Sequence, residues 1–113
     1  MSISTHVLDT AFGAPAAGVA VTLERVEGRE REVVISRGVT DADGRVAALV
    51  PVGGMMEAGT YRLSFDVASY FAVTQRESFY SEIAVTFSVG HEAQHYHVPL
   101  LLSPYGYSTY RGS

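Results

Sequence analysis

The 113-residue sequence contains no cysteine and no lysine, because all eight of its basic residues are arginine. Without cysteine the chain forms no disulfide, thiolate metal site or cysteine nucleophile, and without lysine it forms no catalytic Schiff base. These two absences exclude several classes of covalent and metal-dependent catalysis. They leave the redox compartment open, since a chain without cysteine suits either environment.

The sequence also lacks an excess of positive charge. Its formal net charge is −4, whereas a nucleic-acid surface requires a stripe of basic residues. Four arginines do cluster between residues 25 and 37, but glutamates alternate with them. We interpret this cluster as a solvated strand surface and expect no nucleic-acid partner.

Long apolar runs are absent as well. The first nine residues have neither the basic nor the apolar segment of a secretory signal. No stretch approaches the ~20 apolar residues that cross a bilayer. We therefore expect a cytoplasmic protein that does not bind membranes, folded as a single domain over residues 1–113, because a chain of this length supports one core.

Apolar residues recur at every second position along most of the chain, which is typical of half-buried strands. Examples are Val19, Val21 and Leu23, and Tyr61, Leu63, Phe65 and Val67. Turn signals such as Gly13-Ala14-Pro15 and Asp41-Ala42-Asp43-Gly44 separate these runs. The pattern predicts an all-β sandwich of two antiparallel sheets with about eight strands, including a very short one near Arg45-Val46. One short helix is predicted around Val67 to Thr74, held to the sandwich by Tyr70 and Phe71.

The alternation also predicts which side chains face the core. The last long strand should bury one row and expose the other, the inner row being Tyr96, Val98, Leu100 and Leu102 and the outer row His95, His97, Pro99 and Leu101. In the first strand Ile3, Thr5 and Val7 should face inward, whereas Ser4, His6 and Leu8 face outward. Outer rows that mix histidines with apolar side chains predict contact with another subunit.

The C-terminal segment is aromatic up to its end, where the sequence reads Tyr110-Arg111-Gly112-Ser113. Chain termini usually fray, so this composition predicts a final strand that is held in place to its last residue. Ser113 would then contribute both a hydroxyl and the α-carboxylate.

One short motif is misleading. The segment His91-Glu92-Ala93-Gln94-His95 matches the H-E-x-x-H pattern of zinc proteases, which requires a helix. Gly90 precedes it and a strand pattern follows it directly, so we predict a turn here. A metal site formed by His91, His95 and His97 is the alternative, but its remaining ligands are not evident, and we expect no metal.

Four separated blocks of the sequence resemble the transthyretin-like 5-hydroxyisourate hydrolases of purine catabolism. The blocks are Ser4 to Asp9 with Gly13 to Ala16, the turn Asp43-Gly44-Arg45, the segment His95 to Tyr105, and the closing Tyr110 to Ser113. The resemblance covers the whole chain. It implies a prealbumin-like (transthyretin-type) β-sandwich that forms a homotetramer, a dimer of dimers with its sites at the dimer-dimer interface.

The resemblance further implies an active site for hydrolysis of 5-hydroxyisourate to 2-oxo-4-hydroxy-4-carboxy-5-ureidoimidazoline in urate degradation. The catalytic residues that it implies are His6, Arg45, His97 and Ser113, and the substrate-binding residues are His6, Arg45, Tyr110 and Arg111. Either histidine suits the role of general base, Arg45 suits stabilisation of negative charge on oxygen, and no cofactor is required.

The alternative function is that of a non-enzymatic, transthyretin-type carrier of a small ligand. A carrier channel should be lined mainly by apolar groups. A channel that presents His6, Arg45, His97 and Tyr110 instead gathers polar groups that are costly to desolvate without a polar ligand. The sequence therefore favours the enzyme.

Overall fold

Alternating β-branched and aromatic residues form strands over most of the chain in the computed structural model, which describes residues 2–29, 31–47, 49, 57–91 and 94–112. Within these residues there are nine strands and one helix. The strands are β1 (Ser2–Asp9), β2 (Ala14–Pro15), β3 (Ala20–Glu27), β4 (Arg31–Val39), β5 (Arg45–Val46), β6 (Gly59–Asp66), β7 (Ile83–Val89), β8 (His95–Ser103) and β9 (Gly106–Thr109). The helix is α1 (Val67–Val73).

The strands form two sheets. One has the order β2-β1-β8-β9, with β5 also paired to β1, and the other has the order β4-β3-β6-β7. The prediction of a two-sheet sandwich with one short helix is thus confirmed. The strand count is one higher than predicted, because Ala14–Pro15 pairs with Leu8 and Asp9 where a turn was expected.

The prediction of two purely antiparallel sheets is wrong for one pairing. Strands β1 and β8 run parallel, with Ser4 opposite His97 and His6 opposite Pro99. Period-2 alternation shows which residues share a face, but it is the same for both strand directions. The parallel pairing decides which residues of the two strands become neighbours.

The core lies between the inner faces of the two sheets. Its largest fully buried side chains include Ile3, Leu23, Phe65, Phe71, Leu100 and Leu102. The predicted inner rows of β1 and β8 are buried as expected, with exposed fractions of at most 7% for Ile3, Thr5, Val7, Tyr96, Val98, Leu100 and Leu102. Two residues of the predicted outer rows, Ser4 and Pro99, are buried as well.

Helix α1 is capped by Asp66, whose side chain accepts a hydrogen bond from the Ser69 backbone N–H at 3.2 Å. Such a cap satisfies one of the otherwise unpaired N–H groups of the first turn. Tyr70 and Phe71 are buried, as predicted. The helix therefore covers one end of the sandwich.

A buried ion pair ties the segment after α1 to the end of β1. Asp9 is fully buried, and it accepts hydrogen bonds from Arg76 Nη2 at 2.5 Å and from the Tyr70 hydroxyl at 2.7 Å. Burial alone would raise the pKa of Asp9, but these bonds outweigh burial and hold the pKa below its ordinary value. The Arg76 guanidinium also lies 3.6 Å from the centre of the Phe12 ring. This network fixes the end of β1 that lies farthest from the histidines of β8.

Candidate active site

The outward rows of β1 and β8 bring serines and histidines together on one face of the five-stranded sheet. In the parallel register Ser2 lies opposite His95 and Ser4 opposite His97. His6 follows two residues further along the same face of β1. Both histidines predicted as catalytic, His6 and His97, thus lie on the outer face of one sheet.

Arg45 joins this face through the two-residue strand β5, in which it pairs directly with His6. The preceding turn is held by the carboxylate of Asp41, which accepts hydrogen bonds from the backbone N–H groups of Asp43 at 2.9 Å and Arg45 at 3.0 Å. His6 Nε2 lies 2.8 Å from the carbonyl oxygen of Asp43. A carbonyl only accepts, so this nitrogen carries a hydrogen and donates it.

Gly44 allows the turn to approach β1 closely. Its φ is +77°, and its carbonyl accepts a 2.7 Å hydrogen bond from the Val7 N–H. A Cβ at this position would lie 2.4 Å from the Val7 carbonyl oxygen, which no side chain tolerates. A glycine is therefore required for Arg45 to lie beside His6.

His97 is half-buried, and Nδ1 of its ring lies 2.8 Å from the Ser4 hydroxyl. Burial and the charge of Arg45 lower the pKa of His97 below its ordinary value. The neighbouring imidazoles of His95 and His6 act in the same direction. His97 is consequently neutral at pH 7, and with Nδ1 held by Ser4 its Nε2 is the nitrogen available to a water molecule.

The C-terminal segment returns to β8 beside this histidine. After β9 the Gly112 N–H donates a 2.8 Å hydrogen bond to the His97 carbonyl. A Cβ on Gly112 would lie 2.6 Å from Cδ2 of the His97 ring and 3.3 Å from Cγ of Pro99. The ring of His97 therefore packs directly on the backbone of Gly112.

Tyr110 and Arg111, the two preceding residues of the C-terminal segment, do not pack on His97 as Gly112 does. Tyr110 is 56% exposed. Arg111 donates a 2.9 Å hydrogen bond to Gln94 and lies 5.0 Å from the centre of the Tyr96 ring, which belongs to the inner row. Both residues line a cavity of about 150 Å³ with His97 and the apolar residues Val85, Phe87 and Val98. Ser113 lies outside the described residues.

The H-E-x-x-H segment is not helical at its second histidine, because His95 begins strand β8. His91 is exposed between β7 and β8, and Glu92 lies outside the described residues. Within the described part of the chain, no three His, Asp or Glu residues are grouped closely enough to hold a metal ion.

Sequence reasoning missed three contributors to this face: Ser4, Asp41 and Gly112. A signal existed for Ser4, which falls on the outward row with His6. Asp41 was visible only as part of a turn. The contact between Gly112 and His97 depends on a chain reversal that no local pattern shows.

The fold and this face together define a prealbumin-type sandwich that carries a histidine-arginine cluster on the outer surface of one sheet. The chain belongs to the HIUase/Transthyretin family, whose sequence profile matches residues 3–112.

Curated relatives with high coverage are named 5-hydroxyisourate hydrolase. One from Deinococcus radiodurans is 47% identical over 98% of this chain and 95% of its own length. Another, from Mus musculus, is 43% identical over 98% of this chain and 94% of its own length.

Solved structures with the same fold include both a 5-hydroxyisourate hydrolase and a transthyretin in complex with thyroxine. The 5-hydroxyisourate hydrolase of Klebsiella pneumoniae has a TM-score of 0.87 and 39% identity, with all of both chains covered. Sea bream transthyretin in complex with thyroxine has a TM-score of 0.90 and 31% identity, covering 99% of this chain and 95% of that one. The fold alone therefore does not distinguish a hydrolase from a ligand-binding protein, and the distinction depends on the side chains of the site.

Proposed function

We propose that this protein is a metal-free 5-hydroxyisourate hydrolase that opens the lactam ring of its substrate with a water molecule activated by His97. The observation that carries the proposal is the His97 ring on the same face as Arg45, with Nδ1 2.8 Å from the Ser4 hydroxyl and Nε2 available. The names of the relatives at 43–47% identity support the choice of substrate.

In the proposed reaction, His97 Nε2 takes a proton from water while the oxygen of that water attacks the lactam carbonyl. The oxyanion that forms is stabilised by the Arg45 guanidinium, a permanent cation with paired donors. The ring C–N bond then breaks, and the departing nitrogen receives the proton from His97. A positioned general base of this kind contributes about 10²–10⁴-fold.

The hydrogen bonds of the two histidines support different roles for them, which the sequence left open. His6 uses Nε2–H to hold the Asp43 carbonyl, and thereby the turn that carries Arg45. His97 has a lowered pKa and makes no such backbone contact through Nε2 in its described hydrogen bonds. We therefore assign His97 as the base and His6 as the residue that orients Arg45 and binds the substrate.

Tyr110, Arg111 and Ser113 are proposed to contribute to substrate binding or catalysis from the C-terminal segment. Tyr110 is 56% exposed and lines a cavity with His97. Arg111 is already engaged with Gln94 and Tyr96. Tyr110 is thus better suited to direct contact with substrate.

A homotetramer with its sites at the dimer-dimer interface completes the proposal. Arg45 and His95 are exposed in the single chain, so the site is open on one side. A second sheet packed over this face would exclude water and strengthen the electrostatic interactions of His97 and Arg45. The same face suits a carrier less well, because a hydrophobic hormone would desolvate Arg45 and the histidines without pairing them.

The experiment generates 5-hydroxyisourate from urate with uricase and follows the decay of its absorbance. Wild-type protein should accelerate the decay, and His97→Ala should reduce turnover by about a hundredfold or more while circular dichroism and assembly stay unchanged. His91→Ala, an exposed histidine outside the site, is the matched control and should behave as wild type. If wild-type protein leaves the spontaneous decay rate unchanged, the proposed function is wrong.

A further inference from the structure

The outer face contains more hydrogen-bonding groups than the proposed reaction uses. The Ser4 side chain lies between two imidazoles, with Oγ 2.8 Å from His97 Nδ1 and 2.8 Å from His95 Nε2. His95 Nδ1 in turn contacts the hydroxyl of Ser2. Four side chains of two strands thus form one continuous chain of hydrogen bonds.

The parallel register of β1 and β8 produces this chain. Ser2 lies opposite His95 and Ser4 opposite His97, and both pairs point to the same face. The two imidazole rings stack with centroids 6.3 Å apart and planes 18° from parallel. Ser4 is only 8% exposed, so its hydroxyl depends on these two rings more than on water.

The hydrogen bonds from His97 to Ser2 run in one direction, which is set by the atoms that donate and the atoms that accept. If His97 Nε2 is the base, its neutral ring carries hydrogen on Nδ1 and donates it to Ser4 Oγ. The single hydroxyl hydrogen of Ser4 then points to His95 Nε2, which accepts it. His95 carries its own hydrogen on Nδ1 and donates it to Ser2. The hydrogens on His97 Nδ1, Ser4 Oγ and His95 Nδ1 each meet one acceptor in this arrangement.

We propose that Ser4 is a positioning residue that fixes the tautomer of His97, and that Ser4 and His95 carry the proton taken from water toward solvent. When His97 Nε2 gains a proton, its Nδ1 proton passes to Ser4 Oγ and the Ser4 proton passes to His95 Nε2. The positive charge then resides on His95, which is exposed. The reverse transfers return a proton to His97 for the departing nitrogen. This role rests on the proposed function.

The first test compares Ser4→Ala with Ser4→Thr, which retains a hydroxyl on a β-branched side chain suited to a strand. Ser4→Ala should lower kcat on the order of tenfold to a hundredfold, as removal of an orienting partner typically does, with KM changed less than about twofold because the substrate contacts remain. Ser4→Thr should restore most of kcat. Equal loss in both variants, or wild-type kcat in Ser4→Ala, would overturn the proposal.

The pH profile separates positioning from a merely structural role. The His97 imidazolium donates from Nδ1 to the Ser4 hydroxyl, so loss of this acceptor should lower the pKa of His97 further, whereas the contact with the Ser4 backbone, which raises that pKa, remains. The charged or titratable groups around His97 are Arg45, His95 and His6, with Tyr110 and Arg111 on the C-terminal segment, and all are unchanged in this variant. The acid limb of kcat/KM should therefore move to lower pH in Ser4→Ala but not in Ser4→Thr. An unmoved limb counts against the proposal.

Proton transfer from Ser4 to His95 is tested with His95→Phe, which keeps a flat ring but removes the accepting nitrogen. Its kcat should fall at least about tenfold, the lower bound for an orienting partner, whereas His91→Phe, on an exposed histidine four residues away, should match wild type. If both variants match wild type, His95 carries no proton and this part of the proposal is wrong.

A measurement without substrate keeps this inference separate from the proposed function. Nitrogen-15 NMR of the imidazoles should show His97 protonated on Nδ1 in wild type and Ser4→Thr, and a mixture of tautomers in Ser4→Ala. If wild-type protein fails to hydrolyse 5-hydroxyisourate but shows this tautomer pattern, the substrate is wrong and the positioning by Ser4 stands. If His97 is protonated on Nε2 in wild type, the positioning by Ser4 is overturned whatever the activity.

Discussion

At the scale of single residues, the orientation of His97 depends on a glycine that has no chemistry of its own. The ring packs on Gly112, where a Cβ would lie 2.6 Å from Cδ2. Ser4 holds the same ring through Nδ1. His97 is thus fixed from two sides, by the C-terminal segment and by β1, and a base that is fixed in this way loses little entropy when substrate binds.

We predict that Gly112→Ala lowers kcat/KM on the order of a hundredfold, because a shift of about 1 Å in a reacting group has that effect. The free energy of unfolding should change by less than about 1 kcal/mol, since Gly112 is only half-buried and lies outside the core. Gly106→Ala is the matched control, because a Cβ there lies an ordinary 3.7 Å from Ser103 Oγ. Equal activity of the two variants in the uricase-coupled assay would contradict the prediction.

The sequence predicted the side of the sheet that each residue faces, but it did not predict which residues of other strands lie beside it. Alternation placed His6 and His97 on outer rows because side-chain direction is a local property of a strand. Whether Ser4 would lie beside His95 or far from it depended on the pairing of two segments 91 residues apart, which alternation does not encode. The resemblance to a family supplied the roles of His6, Arg45 and His97, but not the positions of Ser4 and Gly112.

At the scale of elements, the hydrogen-bonded turn between Asp41 and Arg45 positions Arg45 beside β1. The sequence predicted the turn and the short strand after it from Asp43-Gly44. It missed β2, because Gly13-Ala14-Pro15 is a turn signal. A Cβ at Gly44 would also approach Pro15 of β2, at 3.1 Å. The turn, β1 and β2 are therefore packed as one layer around this glycine.

We predict that Gly44→Ala destabilises the protein by at least about 1 kcal/mol more than Gly13→Ala. Both positions have positive φ, +77° and +67°, so both substitutions incur the left-handed penalty of about 1–2 kcal/mol. Only at Gly44 does the added Cβ meet backbone, whereas nothing lies within 4 Å at Gly13. Urea unfolding monitored by circular dichroism measures the difference in the free energy of unfolding. Equal midpoints with equal slopes would show that the turn accommodates the Cβ at Gly44 without loss of stability.

At the scale of the whole molecule, the two sheets differ in what their outer faces carry. The five-stranded sheet exposes the histidine-arginine cluster together with the half-buried Leu8 and Leu101, which are opposite each other in the register of β1 and β8. The outer face of the four-stranded sheet instead carries the ion pair of Arg62 with Glu32 and a hydrogen bond from Ser64 to Glu24. The first face therefore suits subunit contact, and the second suits water.

Two variants, each with one added carboxylate on the outer face of one sheet, test this difference. Leu101→Glu places a carboxylate in the proposed interface, where desolvation without a partner is costly, whereas Val34→Glu places one at a 43% exposed position of β4. Light scattering should give about 49 kDa for wild type and Val34→Glu, four times the 12.2 kDa chain, and a smaller mass for Leu101→Glu. Activity should fall with assembly, because the site would lose the sheet that covers it. A Leu101→Glu protein that kept both the wild-type mass and full turnover would show that the interface, and the enclosure of His97 and Arg45 that it provides, lie on another surface.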